Sequence, residues 1–420
     1  MTHLSYLFSL EQLGIKLGLD QIRALLGYLG RPDEAFRSII VAGTNGKGSV
    51  TAMIERGLRA AGYRTGRYTS PHLVNLAERI AIDGRAISAT DLEHLAGRVR
   101  TAAELLAAPP SFFEATTAVA LEAFRDAEIE VAVLEVGLGG RLDATNVVDA
   151  AAAVITSIDF DHEIHLGHTI EEIAAEKAGV IKRGAIAVLA DNPFAVQVVV
   201  RRASERARAR YVFAPESVDL DVTMHEGVAR LSLVTPRGAY RDLTLGLRGR
   251  HQAANALAAV RLLEEVSAHG LMPVPSDAIR TAVQDVKWPA RLELLKWRRH
   301  DVIIDGAHNP AGARALAAYL METYGRKLPL VVGAMRDKKL DALLEALAPA
   351  ASHFFFTAPA TARAATSDEL RAIAAVAAPH VPVEIASSPL DALTRAAALG
   401  EPTVVAGSLH LAGELRAEIS

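Results

Sequence analysis

A chain of 420 residues is too long for one ordinary hydrophobic core and predicts two or three domains. Its 45 basic and 49 acidic side chains leave a net charge of −4, which gives no electrostatic basis for binding nucleic acid or an anionic membrane. The absence of cysteine excludes disulfides, thiol catalysis and thiolate metal sites, and is compatible with a reducing cytoplasm.

The first ten residues lack a basic segment followed by an apolar run, so no signal peptide is expected, and no apolar stretch is long enough to span a bilayer. From there the chain alternates short aliphatic runs with alanine-rich segments of helical spacing. Strands are predicted at 38–41, 65–69, 131–136, 153–158 and 186–190. Helices are predicted at 48–61, 89–107, 113–126, 169–181 and 193–207. Continuous apolar strands separated by helices imply a parallel sheet covered on both faces. Alternation over 211–247 suggests a β-meander at the edge of that sheet, and 251–268 returns to helix. Prolines at 273–275 and 289 punctuate the chain, and the second sets the expected domain boundary, giving domains 1–287 and 288–420. Beyond it, strands at 302–305, 330–332, 354–357 and 403–406 alternate with helices at 311–324, 340–348 and 368–377. The expected fold class is α/β: a larger N-terminal domain with a parallel sheet plus meander, and a smaller Rossmann-like C-terminal domain.

The strongest local signal is Gly43-Thr44-Asn45-Gly46-Lys47-Gly48-Ser49, directly after a predicted strand and before a predicted helix. Phosphate binding needs that order: glycines curl the backbone so that its N–H groups converge, the helix N-terminus adds partial positive charge, and Lys47 neutralises terminal phosphates. Gly48 stands where Ser or Thr normally follows the lysine, so part of the metal-binding hydroxyl function is expected from elsewhere. Further along, Glu135 ends a buried apolar run and precedes Gly137-Leu138-Gly139-Gly140-Arg141-Leu142-Asp143-Ala144-Thr145-Asn146. A carboxylate at the carboxyl end of a parallel strand can bind magnesium; a strand-end salt bridge is the plainer alternative, and the polar glycine-rich loop favours a site. Ile158-Asp159-Phe160-Asp161-His162 follows another strand and offers His162 as a further ligand, while His165 and His168 read as surface residues. Lys177, near a helix C-terminus, simply complements the helix dipole on charge grounds.

Together these residues resemble the folylpolyglutamate synthase/dihydrofolate synthase family, relatives of the Mur ligases. The likeness also takes in Leu17-Gly18-Leu19, Thr69-Ser70-Pro71-His72-Leu73, Glu176-Lys177-Ala178-Gly179 and His251-Gln252-Ala253-Ala254-Asn255-Ala256. It continues through Asp305-Gly306-Ala307-His308-Asn309-Pro310 and Gly407-Ser408-Leu409-His410-Leu411. What the resemblance implies is a P-loop domain of the Mur central type and an ATP-dependent ligase attaching L-glutamate to dihydropteroate and to reduced folates. Gly46, Lys47, Gly48 and Ser49 would hold the ATP phosphates, with Asn255 at the adenine and Arg291 and Asp305 contacting the nucleotide. Ser70, Glu135 and His162 would ligate magnesium, two ions in all, and Lys177 matches a lysine carried in carbamylated form, which reverses the charge-based reading. His308 would assist at the nucleotide or with the incoming glutamate. The pterin would be lined by Lys16, Leu17 and Gly18, by Ser111, Phe112, Phe113 and Glu114, and by Leu142, Asp143 and Ala144. Two adjacent phenylalanines are more often core, so at most one is expected to touch the ring. A cytoplasmic monomer acting on small molecules alone is expected. The rival readings are a Mur-type ligase of UDP-muramyl substrates, for which about 40 residues before the phosphate loop leave no room for a nucleotide-sugar domain, and a P-loop kinase or NTPase that forms no amide.

Overall fold

The computed structural model describes residues 2–14, 16–400 and 402–419. It divides into two units. The first holds the residues up to Asp221, with Leu231–Thr244 and Ala253–Val286; the second holds Val222–Arg230, Leu245–Gln252 and the chain from Lys287 onward.

In the first unit the apolar runs become the strands of an eight-stranded sheet: β1 (Arg37–Ala42), β2 (Thr65–Tyr68), β3 (Ile80–Ile82), β4 (Arg85–Ala86), β5 (Val131–Glu135), β6 (Ala152–Ile155), β7 (Ile186–Leu189) and β8 (Arg210–Phe213). Their order is β4-β3-β2-β5-β1-β6-β7-β8. All pairings from β2 across to β8 are parallel, and β3 and β4 fold back antiparallel on the β2 side. Every residue of β5 is buried, as expected of a strand covered on both faces. The register places Val41 beside Glu135 and Ala42 beside Ile155. The turns after β1, β5 and β6 therefore leave the sheet side by side at its carboxyl edge, where ligands of parallel sheets bind. Helices Lys47–Ala60, Phe112–Asp126 and Ile170–Ala178 cover the sheet's core, which runs through Ile40, Tyr68, Leu134, Ile155, Phe124 and Ile173.

Two sequence expectations shift. The strand expected at 153–158 stops at Ile155, because Thr156 and the residues after it turn back toward the phosphate loop. Tyr211 belongs to β8, a parallel strand, and not to the meander. The meander is a separate three-stranded sheet, β9 (Asp219–His225), β10 (Val228–Val234) and β11 (Ala239–Arg248), each hydrogen-bonded to the next in sequence. Its period-two burial, seen in the inward Ala229, Leu231 and Leu233, leaves one face polar.

The second unit has a six-stranded sheet of β12 (Glu293–Trp297), β13 (His300–Ile304), β14 (Leu328–Val332), β15 (Ala351–Phe356), β16 (Val383–Ile385) and β17 (Thr403–Ala406), ordered β12-β13-β17-β14-β15-β16. Only β12 is antiparallel to its neighbour. Strands β12 and β16 and the helices His3–Ser9 and Asp20–Tyr28 escape the sequence reading, being short and only partly buried. Among the described residues no helix is long and apolar enough to cross a membrane.

Candidate functional site

The loop after β1 is shaped by two glycines for which no other residue would serve. Gly43 has φ +147°, and a Cβ there would lie 1.8 Å from the Thr156 hydroxyl; Gly46 has φ +86°, and a Cβ there would lie 2.3 Å from the Asn255 side-chain oxygen. Gly46 caps the helix Lys47–Ala60, so the loop ends on a helix N-terminus with its outward N–H groups and partial positive charge. The Lys47 ammonium donates to the carbonyls of Gly43 and Thr44, both at 3.1 Å, and is thereby parked over the loop. One turn into the helix, Ser49 is buried and its hydroxyl oxygen has no hydrogen-bond partner. A buried hydroxyl in that state is open to completion by a bound group.

Around this loop the structure gathers several of the residues singled out by sequence. The Glu135 carboxylate at the end of β5 accepts from the Ser70 backbone N–H at 3.3 Å, which joins two of the expected metal ligands. His162 sits in a left-handed conformation at the end of the turn that follows β6, its Nε2 3.8 Å from an Asp161 carboxylate oxygen. That turn is hydrogen-bonded to the phosphate loop through Thr44 and Ser157. Lys177 is buried, and its ammonium donates to the Gly43 carbonyl at 2.9 Å, so both lysines converge on one oxygen. Burial first, and then repulsion from Lys47, pull its pKa down to about 7, against the attraction of Asp161 and Asp143. A substantial fraction of Lys177 is therefore a neutral amine near pH 7.

Among the described residues, no three His, Cys, Asp or Glu side chains gather so as to hold a metal ion unaided. Magnesium requires no such cluster, because it takes one or two carboxylates and completes its octahedron with water and substrate phosphates. The orphaned Ser49 hydroxyl beside the phosphate loop fits such a group.

The expected acceptor-side residues also meet within the first unit. The Gly18 N–H donates to the Leu142 carbonyl at 3.4 Å, joining the segments 16–18 and 142–144. Leu17 is exposed, and the Lys16 ammonium donates to the Pro109 carbonyl at 3.1 Å. Ser111 and Glu114 turn out to be the two halves of a capping box: Glu114 accepts from the Ser111 N–H at 2.7 Å and Ser111 accepts from the Glu114 N–H at 3.2 Å. Their polar atoms start the helix that carries Phe112 and Phe113. Phe113 packs against Tyr68 and against Gly137, where a Cβ would lie 2.5 Å from its ring. Phe112 stacks on Phe8 at 5.9 Å between ring centroids, with the Arg79 guanidinium 5.2 Å from its ring centre. Asp143 is buried and accepts from the Leu138 and Thr145 N–H groups and from the Thr145 hydroxyl; burial still raises its pKa above the ordinary carboxylate value. It closes the glycine-rich loop and leaves Leu142 and Ala144 at fixed places. Phe8 and Arg79 were not legible as site neighbours, because nothing local in their segments points to Phe112.

In the second unit, Asp305 follows β13 and accepts from the Leu292 and Ala307 N–H groups, both at 2.9 Å. Burial raises its pKa, and Arg291 opposes that rise. Arg291 lies so close to Gly306 that a Cβ there would meet its guanidinium at 2.4 Å. His308 Nδ1 is 2.8 Å from the Gly306 carbonyl, so Nδ1 carries the hydrogen. Asp305 and His308 thus share the loop after β13, and Arg291, just before β12, lies against that loop at Gly306.

A cavity of about 1070 Å³ lined by His3, Tyr28, Glu93, Arg98 and Arg125 contains none of these residues.

Residues 41–263 match the Mur ligase middle domain and residues 290–409 match the Mur ligase glutamate ligase domain. The dihydrofolate synthase/folylpolyglutamate synthase of Bacillus subtilis is 34% identical over 373 residues, covering 87% of this chain and 86% of that protein. That of Mycobacterium tuberculosis is 40% identical over 354 residues, covering 79% and 72%. The solved structure of Mycobacterium tuberculosis folylpolyglutamate synthase complexed with ADP superposes with a TM-score of 0.90 at 36% identity, over 99% of this chain and 98% of that one.

Proposed function

We propose that this chain, which belongs to the folylpolyglutamate synthase/dihydrofolate synthase family of Mur ligases, joins L-glutamate both to dihydropteroate and to the γ-carboxylate of tetrahydrofolate glutamates. It is an ATP-dependent ligase, and ADP and phosphate are its by-products. The observation that carries this reading is the register of β1 and β5, which brings the phosphate loop and the loop leading to Leu142–Ala144 out of adjacent strand ends. Nucleotide phosphates and an acceptor carboxylate are then neighbours.

A carboxylate does not react with an amine at neutral pH, because its charge repels nucleophiles and oxide is a poor leaving group. Transfer of the ATP γ-phosphoryl group to the acceptor carboxylate gives an acyl phosphate. The glutamate amine attacks its carbonyl carbon, and the tetrahedral intermediate collapses with loss of inorganic phosphate. The loop N–H groups and Ser49 orient the phosphates, and Lys47, already over the loop, balances charge that develops in transfer. Ser70, Glu135 and His162 would hold magnesium, which when bound neutralises phosphate charge and aligns the transferring group. The neutral form of Lys177 can add through its nitrogen to carbon dioxide with loss of a proton, and the resulting N-carboxylate would turn a buried cation into an anionic ligand for a second ion. Phe112 and Leu142 flank the pterin, Asn255 meets the adenine, and Arg291, Asp305 and His308 serve the nucleotide and the incoming glutamate. The protein works as a cytoplasmic monomer on small-molecule substrates.

Purified protein given ATP, magnesium and glutamate, with dihydropteroate or tetrahydrofolate in parallel, tests this directly. Products heavier by one glutamate residue are expected from both acceptors, with ADP formed only when acid and amine are present together. Extension of only one acceptor would restrict the proposal to a single activity. ADP release without any amide would replace it with a kinase or NTPase.

A further inference from the structure

The turn that follows β6 is tied down by two side chains that none of the motifs above includes. Thr156, fully buried, donates its hydroxyl hydrogen to the Asn45 carbonyl at 2.7 Å, with the Ala42 carbonyl 3.3 Å away. Its backbone N–H donates to Ala42, and the Thr44 N–H donates to the Ser157 carbonyl, both at 2.8 Å. The Thr44 hydroxyl lies 3.0 Å from the Asp159 carbonyl and 3.1 Å from its N–H. On the far side, buried Asn192, just beyond β7, accepts from the Ile158 N–H at 2.8 Å. It donates to the carbonyls of Thr156 and Ala190, both at 3.1 Å. Gln197 in turn donates to the Asn192 carbonyl at 2.9 Å.

Only an amide satisfies that setting, since it demands one acceptor and two donors on a short stem. The amide orientation follows from chemistry, because the reverse would set NH₂ against an N–H and oxygen against two carbonyls. A hydroxyl is likewise required at 156, where it faces two carbonyl oxygens and fills the space that a side chain on Gly43 would occupy.

We propose that Thr156 and Asn192 form a latch that sets the distance between the phosphate loop and the turn carrying Asp161 and His162. Both are positioning residues that touch no substrate; they act through Asn45 and through the backbone of 156–159. The inference rests on the reading of Gly43–Ser49 as the holder of ATP phosphates, and it locates the control of that loop's shape in residues 110 to 150 positions away.

The test is calorimetric binding of ADP, with and without magnesium, to the full-length wild type and to Thr156→Val, Thr156→Ser and Asn192→Asp, each also followed by thermal melting. Valine keeps the shape and removes the hydroxyl; serine keeps the hydroxyl; aspartate keeps the acceptor and places negative charge against two carbonyls. Thr156→Val and Asn192→Asp are expected to bind ADP with magnesium about tenfold more weakly, the scale of one lost buried hydrogen bond. Thr156→Ser should stay within about twofold of wild type. A purely structural role would lower the melting temperature and leave the affinity of the folded protein unchanged, and that result overturns the latch. Should Thr156→Val fail to fold, Asn192→Asp carries the same comparison. A wild type that binds no ADP would overturn the nucleotide reading itself.

Discussion

Replacing Lys177 with methionine should make the protein more stable while making it inactive. The ammonium is buried, and its pKa lies near 7 against an ordinary 10.5, a gap worth about 4–5 kcal/mol. The unfolded chain holds the proton readily and the folded chain resists it, so unfolding takes up a proton. The penalty is fully present below pH 7 and is lost as pH rises from about 7 to about 10.5. Methionine has nearly the same shape and carries no charge. It forfeits the hydrogen bond to the Gly43 carbonyl, worth about 2–3 kcal/mol for a charged donor. That oxygen keeps its second donor, Lys47, so no orphan is left. The net expectation is a gain of about 2 kcal/mol at pH 6–7 that falls to about zero near pH 8.5–9. Urea unfolding of wild type and Lys177→Met at pH 6, 7, 8 and 9, in nucleotide-free buffer purged of carbon dioxide, measures it. A wild type more stable than the variant at pH 6, or a difference independent of pH, would refute the reasoning.

Three further outcomes follow from the same geometry. Lys177→Ala should lose most ligase activity, and added bicarbonate should not restore it; wild-type-like turnover would remove the carbamate proposal. Glu135→Gln should keep the fold, since the amide oxygen can still accept from the Ser70 N–H, yet cut turnover about a hundredfold and raise the magnesium concentration needed for half-maximal rate. Gly46→Ala should cost about 1–2 kcal/mol in backbone strain and also abolish tight ADP binding, because its Cβ would collide with the Asn255 carboxamide. Gly62→Ala, at φ +96° with open space around it, is the control: the same strain with ADP affinity unchanged, as read by melting and calorimetry side by side.

Much of the scaffold is legible because its causes are local. The buried run Val131–Glu135 and the glycines at 43 and 46 each act within a few residues, and their patterns name the element they form. Short elements with half-buried faces, such as β16, lack that signature. The end of β6 lies outside local pattern for a related reason: an apolar run alone does not show where a strand gives way to side-chain hydrogen bonds reaching another loop.

The sequence by itself determined that a glycine-rich turn with a lysine follows the first strand, that a carboxylate waits at the end of a buried one, and that the fold is α/β in two parts. Tertiary structure alone decided the state of Lys177, since its low proton affinity arises from burial and from a lysine 130 positions away in the chain. It alone decided that Phe112 meets Phe8 and Arg79, that Thr156 bonds the phosphate loop, and that Asn192 holds the turn beside it. Proton affinity and hydrogen-bond partnership depend on what surrounds a group in space, and residues far apart in the chain carry no local mark of that neighbourhood.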